Sequence, residues 1–395
     1  MGPEGQSRRP LDGIRVVDFT SMVAGPWTTR MLADVGAEVI KVEAVGEGDL
    51  MRFTAPVNAG KSRVYAHYNC GKQSISLNLK TEAGREVARR LMQGADVVVE
   101  NFRPGVMARL ELDYETARKD NPKLVYCSVS GFGQNGPRAG QAAYAPVVHA
   151  CSGYDHVQAV AQGGDGSPLN SGVMIADVVA GSYAFGAIQT ALLHRERNGV
   201  GSHVDVTLIE SMMSLVAIQF QEAQCDTRIA SRVFAPLKTA DGHIMVPLVS
   251  PKTYLGVYAV IGRADWLADP VFASMAGIMG HQAEIDAAVG AWAASRATRD
   301  CEAALNAAGV PCSVYSAPAD VLDDPHLVER GVFASQEDAV GPFTVLNAPF
   351  RISGTDCGAR AGVSRSGEDT ADVVARTLGL GEDEYRRLRD AQAFG

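Results

Sequence analysis

Three places in the sequence combine residue types and spacings that could do chemistry. GFGQNG at Gly131–Gly136 has the G-x-G-x-x-G pattern after a strand-like run, and Asp155 stands nineteen residues beyond the last glycine, near the spacing of a ribose-binding acid. That chemistry needs a helix N-terminus facing a pyrophosphate. Pro137 through Pro146 carry no apolar helical period, so a nicotinamide cofactor is not expected. In TSMVAGPW, Gly25 precedes Pro26, as where a helix opens at a proline and turns its free N–H groups to a crevice; an ordinary turn is the equal alternative. The third place is Asp177 in MIADVVAG, a lone carboxylate between apolar residues at the start of a helical stretch. The helix dipole and free N–H groups should hold it ionised; a plain N-cap is the structural alternative.

The elements that must position these residues alternate. GIRVVDF, TTRMLADVGA and EVIKVE read as strand, helix, strand, a βαβ unit. SISLNL, TEAGREVARRLMQG, ADVVVE, a helical stretch from Val106 to Asp120 and KLVYCSVS continue the pattern, which implies a mostly parallel sheet flanked by helices. Between Gly131 and Gly172 the chain turns to Gly, Gln, Ala and Pro with little periodicity, as in loops lining a ligand crevice. A long apolar helix runs from about Asp177 to Arg197, stops at Asn198-Gly199, and is followed by the strand SHVDVTL and a helical stretch from Met212 to Phe220.

The expected fold is α/β, with a Rossmann-like large domain over residues 1–228. A smaller α+β domain follows over 229–325, with a strand pair turned at Asp241-Gly242 and short Ala-rich helices; residues 326–395 return to the large domain. At 395 residues with 46% hydrophobic content the chain can bury more than one core. A net charge of −9 disfavours nucleic acid as a partner. No stretch approaches about 20 uninterrupted apolar residues, and MGPEGQSRRP has no apolar signal run, so no membrane partner is expected and the location is expected to be cytoplasmic. Seven scattered cysteines without C-x-x-C spacing indicate neither a disulfide framework nor a metal site.

Taken in order and spacing, LDGIRVVDFT, AGPW, LADVGAEVIKVE, LNLKTEAGR, ADVVVENFRPGVM, NPKLVYCSVSGFGQNGP, AYAPVVHACSG and GSHVDVTLIESM resemble the class III CoA-transferases over roughly the first 215 residues. ENFRPG at Glu100–Gly105 followed by SGFGQNGP is quite specific to that family. The resemblance implies an interlocked homodimer and transfer of coenzyme A between an acyl-CoA thioester and a small free carboxylic acid, with coenzyme A as co-substrate and no metal. It makes Asp177 the nucleophile, which would form an acyl-aspartyl anhydride and then an aspartyl-CoA thioester. The family's CoA-binding positions fall on Leu77, Lys80, Asn101, Phe102 and Arg109, with Lys80 and Arg109 supplying charge for phosphates and Phe102 a surface for adenine.

The same family includes α-methylacyl-CoA racemases, which pair the aspartate with a histidine for α-proton transfer. That position is Tyr144 here, the residue type of the transferases, whose hydroxyl can bind a substrate oxygen. His149 and His156 lie nearby and keep the racemase alternative open, although His149 falls in an expected apolar helix and reads better as a core histidine. Val23 stands where formyl-CoA transferases place a substrate-binding glutamine, Ala44 replaces a common arginine, and the glycine tetrad of the oxalate enzymes is missing. Oxalate is therefore not the expected acceptor.

Overall fold

Alternating Val, Ile and Cys residues with both neighbours apolar make strands that bury both faces, and this pattern builds the sheet. The computed structural model of the chain describes residues 9–58, 61–162, 167–225, 234–338 and 340–395. In chain order the elements are β1 (Arg15–Asp18), α1 (Ala24–Asp34), β2 (Glu38–Ala44), the short pair β3 (Val57–Asn58) and β4 (Lys61–Ser62), α2 (Arg63–Asn69), β5 (Gln73–Leu77), α3 (Glu82–Gln93) and β6 (Val97–Glu100). There follow α4 (Val106–Arg109), α5 (Tyr114–Asp120), β7 (Val125–Ser130), α6 (Ala145–Cys151), α7 (Tyr154–Ala161), α8 (Ile175–Asn198), β8 (Ser202–Thr207), α9 (Leu208–Leu215) and α10 (Ala217–Glu222).

Six strands form one sheet in the order β5-β2-β1-β6-β7-β8, and every pairing in it is parallel. Val16, Val97, Val99, Val125 and Cys127 face one hydrophobic cluster with α1 and α8. Val17, Ile40, Ile75, Val98 and Tyr126 face the other with α3. The strand order reverses between β1 and β6, and in open α/β sheets the crevice at such a reversal, beyond the carboxyl ends of the strands, is where ligands bind.

The contacts divide the chain into two compact units, one of Met1–Val160, Gly164–Asp226 and Val328–Gly395, the other of Ala161–Gly163 and Thr227–Leu327. The second has a three-stranded antiparallel sheet of Leu237–Lys238, His243–Met245 and Ser313–Val314. Its own core includes Ile244, Tyr254, Tyr258, Trp266 and Leu305. The first also holds a hairpin, Phe333–Asp338 with Gly341–Leu346.

Three expectations change. The stretch read as loop between Gly131 and Gly172 contains α6 and α7; both are short, and their period is too brief to stand out among Gly and Pro. The helix expected from Val106 to Asp120 is two helices, broken where Glu111 adopts φ 59°. Finally, α8 is long and apolar enough, by length and composition, to cross a membrane, although no such stretch was expected, because Asp177, Ser182, Gln189 and glycines interrupt its apolar run. Ala176, Ala180, Ala184 and Ile188 recur every four residues and are buried in the core beside α1 and the sheet, as in a core helix packed on one face.

Candidate active site

The turn between β1 and α1 lies at the reversal of the sheet, and side-chain oxygens hold three of its amides. Thr20 donates its N–H to Asp18 Oδ1 at 2.8 Å, Ser21 to Asn101 Oδ1 at 2.9 Å, and Met22 to Asp49 Oδ1 at 3.2 Å. Asn101 returns a bond from Nδ2 to the Ser21 carbonyl at 2.8 Å. Met22 has φ 69°, a left-handed conformation that a side chain adopts only where the surroundings over-determine it. Lys41 Nζ donates to the Thr20 carbonyl at 2.7 Å and pairs with Asp49 at 2.9 Å. Lys72 Nζ donates to the Pro26 carbonyl at 3.0 Å and pairs with Asp18 at 3.1 Å. Burial pulls Lys72 down to about 8 against the attraction of Asp18, the cost of desolvating a charge even when it is paired.

What this rigid turn presents is the N-terminus of α1, and Asp177 meets it. Asp177 is the third residue of α8, whose N-cap is Met174, so it is not an N-cap. Its half-buried carboxylate accepts the backbone N–H of Ala24. No cation pairs with it among the described residues. Burial pushes its carboxyl up to about 6 from the usual 3.8, and the Ala24 amide offsets only part of that rise. The expectation that helix dipole and N–H groups favour the charged form meets a larger effect: lost hydration outweighs them and raises the carboxyl, which near 6 is still mostly ionised at neutral pH.

The approach of α8 to α1 depends on Gly181, where a Cβ would lie 2.6 Å from the Ala24 carbonyl oxygen and 3.1 Å from the Trp27 ring. Thr28 Oγ1 donates to the Gly181 carbonyl at 3.1 Å, and Trp27 Nε1 to Ser182 Oγ at 3.3 Å. Trp27 stacks on His67 and meets Tyr68 edge-on. Burial and then the charge of Asp177 raise the Tyr68 hydroxyl above its ordinary value. Tyr68 is thus a site residue that sequence reasoning missed; a tyrosine in YAHYN carries no motif, and only packing brings it to Asp177.

A second cavity of about 440 Å³ opens beside β2 and β5, lined by Phe19, Ala44, Leu77, Lys80, Phe102 and Leu110, among others. It brings together three of the expected CoA contacts: Leu77, Lys80 and Phe102. Leu77 is also buried in the core, whereas Lys80 is exposed and its ammonium has no partner among the described residues. Arg109, one residue before Leu110, is likewise exposed without an ion pair among them, while Arg85, Arg89 and Arg90 on α3 are all paired. Lys80 thus brings one unpaired cation to the rim, which suits phosphate oxygens, while Arg109 is not among the lining residues and its guanidinium lies beside Gly105.

Three expected contacts stand differently. The Asn101 side chain shapes the turn, accepting the Ser21 N–H and donating one amide N–H to the Ser21 carbonyl, which leaves one N–H and one lone pair for a ligand. Val23 is 1% exposed and packs with Met51 and Tyr65; its apolar side chain is drawn into that small core and away from open space. Tyr144, at the N-cap of α6, is 69% exposed, and its hydroxyl has no hydrogen-bond partner among the described residues. His156 is exposed. His149 is 1% exposed, and its Nε2 accepts the Ala176 N–H at 3.1 Å. After GFGQNG, residues 137–140 form a turn and residues 141–144 are irregular before α6 begins, so no helix follows those glycines directly.

Fold and site together define an α/β enzyme with a desolvated, unpaired carboxylate at the reversal point of its sheet. Comparison with known proteins then gives the family: the model for CoA-transferase family III matches residues 11–370, and the chain belongs to that family. A succinate–glutarate CoA-transferase of Agrobacterium fabrum is 33% identical, covering 93% of this chain and 95% of its own. An acetyl-CoA:oxalate CoA-transferase of Acetobacter aceti is 32% identical over 88% of this chain and 90% of its own. The solved structure of a CaiB/BaiF family protein from Brucella suis superposes with TM-score 0.80 at 32% identity, covering 94% of this chain and all of that one. That of Rv3272 from Mycobacterium tuberculosis does so with TM-score 0.80 at 31% identity, covering 92% and 99%. The enzyme is a CoA-transferase, with a CoA thioester as co-substrate.

Proposed function

We propose that the enzyme moves CoA from an acyl-CoA to a small carboxylic acid through covalent intermediates on Asp177. The observation that carries this is an unpaired Asp177 carboxylate, raised to about 6 by burial and facing the Ala24 N–H. At neutral pH such a group is mostly ionised yet poorly hydrated, which makes it a stronger nucleophile than a surface aspartate. An Asp177 oxygen attacks the thioester carbonyl, the C–S bond breaks, and CoA leaves as thiolate with a mixed anhydride formed. The thiolate then attacks the Asp177 carbonyl, releasing the donor acid and leaving an aspartyl-CoA thioester. The acceptor carboxylate attacks that thioester and expels CoA thiolate, which finally attacks the acceptor carbonyl and frees Asp177.

Lys80 and Arg109 hold CoA phosphates and Phe102 its adenine; Leu77, Lys80 and Phe102 share one cavity. Ala44 stands where an arginine is common in the family, in keeping with an acid less polar than oxalate. The exposed apolar residues Val178, Tyr183 and Leu193 of α8, Met213 and Leu215 of α9, and Ile218 and Phe220 of α10 suit burial in a homodimer, and cytoplasmic residence fits the same reading. A racemase would need a histidine base; His149 already accepts a backbone N–H, which favours transfer. Hydroxylamine with an acyl-CoA should convert Asp177 to a hydroxamate, and borohydride should mark its thioester, both read by peptide mass spectrometry. No modification at Asp177, with solvent deuterium entering the acyl α-carbon, would replace transfer by racemisation.

A further inference from the structure

The first amides of a helix have no partner inside it and must find one elsewhere. At the start of α8 the Ile175 N–H goes to the Val173 carbonyl at 3.0 Å and the Val178 N–H to the Met174 carbonyl at 3.2 Å. Met174, at the N-cap, has no side-chain group to cap with. The amide of Ala176, one residue before Asp177, goes instead to a side chain 27 residues away, His149 Nε2, at 3.1 Å.

That bond fixes the chemistry of the ring. Nε2 accepts, so it carries no proton, and the proton of the neutral imidazole is on Nδ1. Nδ1 is buried with no hydrogen-bond partner, and so is Asp155 Oδ1 on α7. The Asp155 charge acts on the ring against the larger effect of burial, which lowers its proton affinity. The Tyr154 ring packs beside it, centroids 5.9 Å apart. An imidazolium here would turn an N–H against the N–H of Ala176.

We propose that His149, as the neutral Nδ1–H tautomer, is a positioning residue that caps α8 from α6 and so aims the Asp177 carboxylate at the Ala24 N–H. The proposal rests on the reading of Asp177 as nucleophile. His149 touches no substrate in it; it acts by holding the turn that carries Asp177, where a misplacement of about 1 Å costs on the order of 100-fold in rate.

Two variants separate capping from filling. His149→Gln places an amide oxygen near the position of Nε2 and keeps an acceptor; His149→Leu fills the space without one. Single-turnover acylation of Asp177 by an acyl-CoA, quenched with hydroxylamine, should slow roughly 10- to 100-fold in His149→Leu and only a few-fold in His149→Gln, with acyl-CoA affinity unchanged in both. Nitrogen-15 NMR of histidine-labelled wild type at pH 7.5 should show His149 with an unprotonated Nε2 and a protonated Nδ1. Acylation at the wild-type rate in His149→Leu, no advantage of Gln over Leu, or a protonated Nε2 would each overturn the proposal. Where the tautomer is as stated but wild type gives no Asp177 adduct, the nucleophile reading fails and the cap stands.

Discussion

Replacing Asp177 by Asn should make the protein more stable while abolishing transfer. The carboxyl lies near 6 in the folded chain and at its ordinary 3.8 unfolded, so folding penalises the ionised form by roughly 3 kcal/mol. Water still reaches part of the half-buried group, which reduces the recoverable gain to about 1–3 kcal/mol. Asparagine keeps an oxygen to accept the Ala24 N–H and has no charge to desolvate. The sign follows from linkage: an acid whose folded value is raised is fully penalised above about pH 6, and the penalty fades as pH falls towards the unfolded value. Urea denaturation of both proteins at equal chain concentration, at pH 8 and at pH 4.5, measures the difference. Asp177→Asn should unfold at higher urea at pH 8, with most of the advantage gone at pH 4.5. A variant no more stable at pH 8, or an advantage that does not change with pH, would refute the claim that burial strains this carboxylate.

The same raised carboxyl predicts that single-turnover acylation falls on the acid side with an apparent midpoint near 6, since only the ionised form attacks; a rate flat down to pH 5 would contradict it. Gly181→Ala puts a Cβ 2.6 Å from the Ala24 carbonyl oxygen, so it should cost about 1–3 kcal/mol of stability. It should also slow Asp177 acylation, because the helix N-terminus must move; chemical denaturation and hydroxamate yield read the two effects. Lys80→Ala and Arg109→Ala should each weaken CoA binding by about 1.5–3 kcal/mol, the range for a lost charged hydrogen bond, measured by calorimetry. Unchanged affinity in both would move the phosphate site elsewhere.

Local pattern was enough for the strands and the long helices. Runs such as VVD, VVVE and VYCSVS can satisfy their apolar side chains only by burial on two faces, and they are the central strands of the sheet. The family could also be read from the order of ENFRPG and SGFGQNGP, since spacing within a chain is itself a sequence property. Asp177 is singled out by the resemblance to that family, and its place as a carboxylate alone in an apolar stretch agrees with it.

Its protonation was beyond the sequence. The nearby residues suggest a helix start that favours charge, whereas burial beside α1, whose first residue Ala24 is 153 residues earlier, pushes the carboxyl up. Asn101 has the residue type of a ligand contact, and only the fold shows that its amide also ties down Ser21, 80 residues away. Tyr68 reaches the field of Asp177 and His149 the amide of Ala176 only because helices distant in the chain pack together. Hydration, hydrogen-bond partners and local field depend on which atoms surround a group. For these side chains those atoms come from far along the chain, so residue type alone identifies a candidate and folding decides its state.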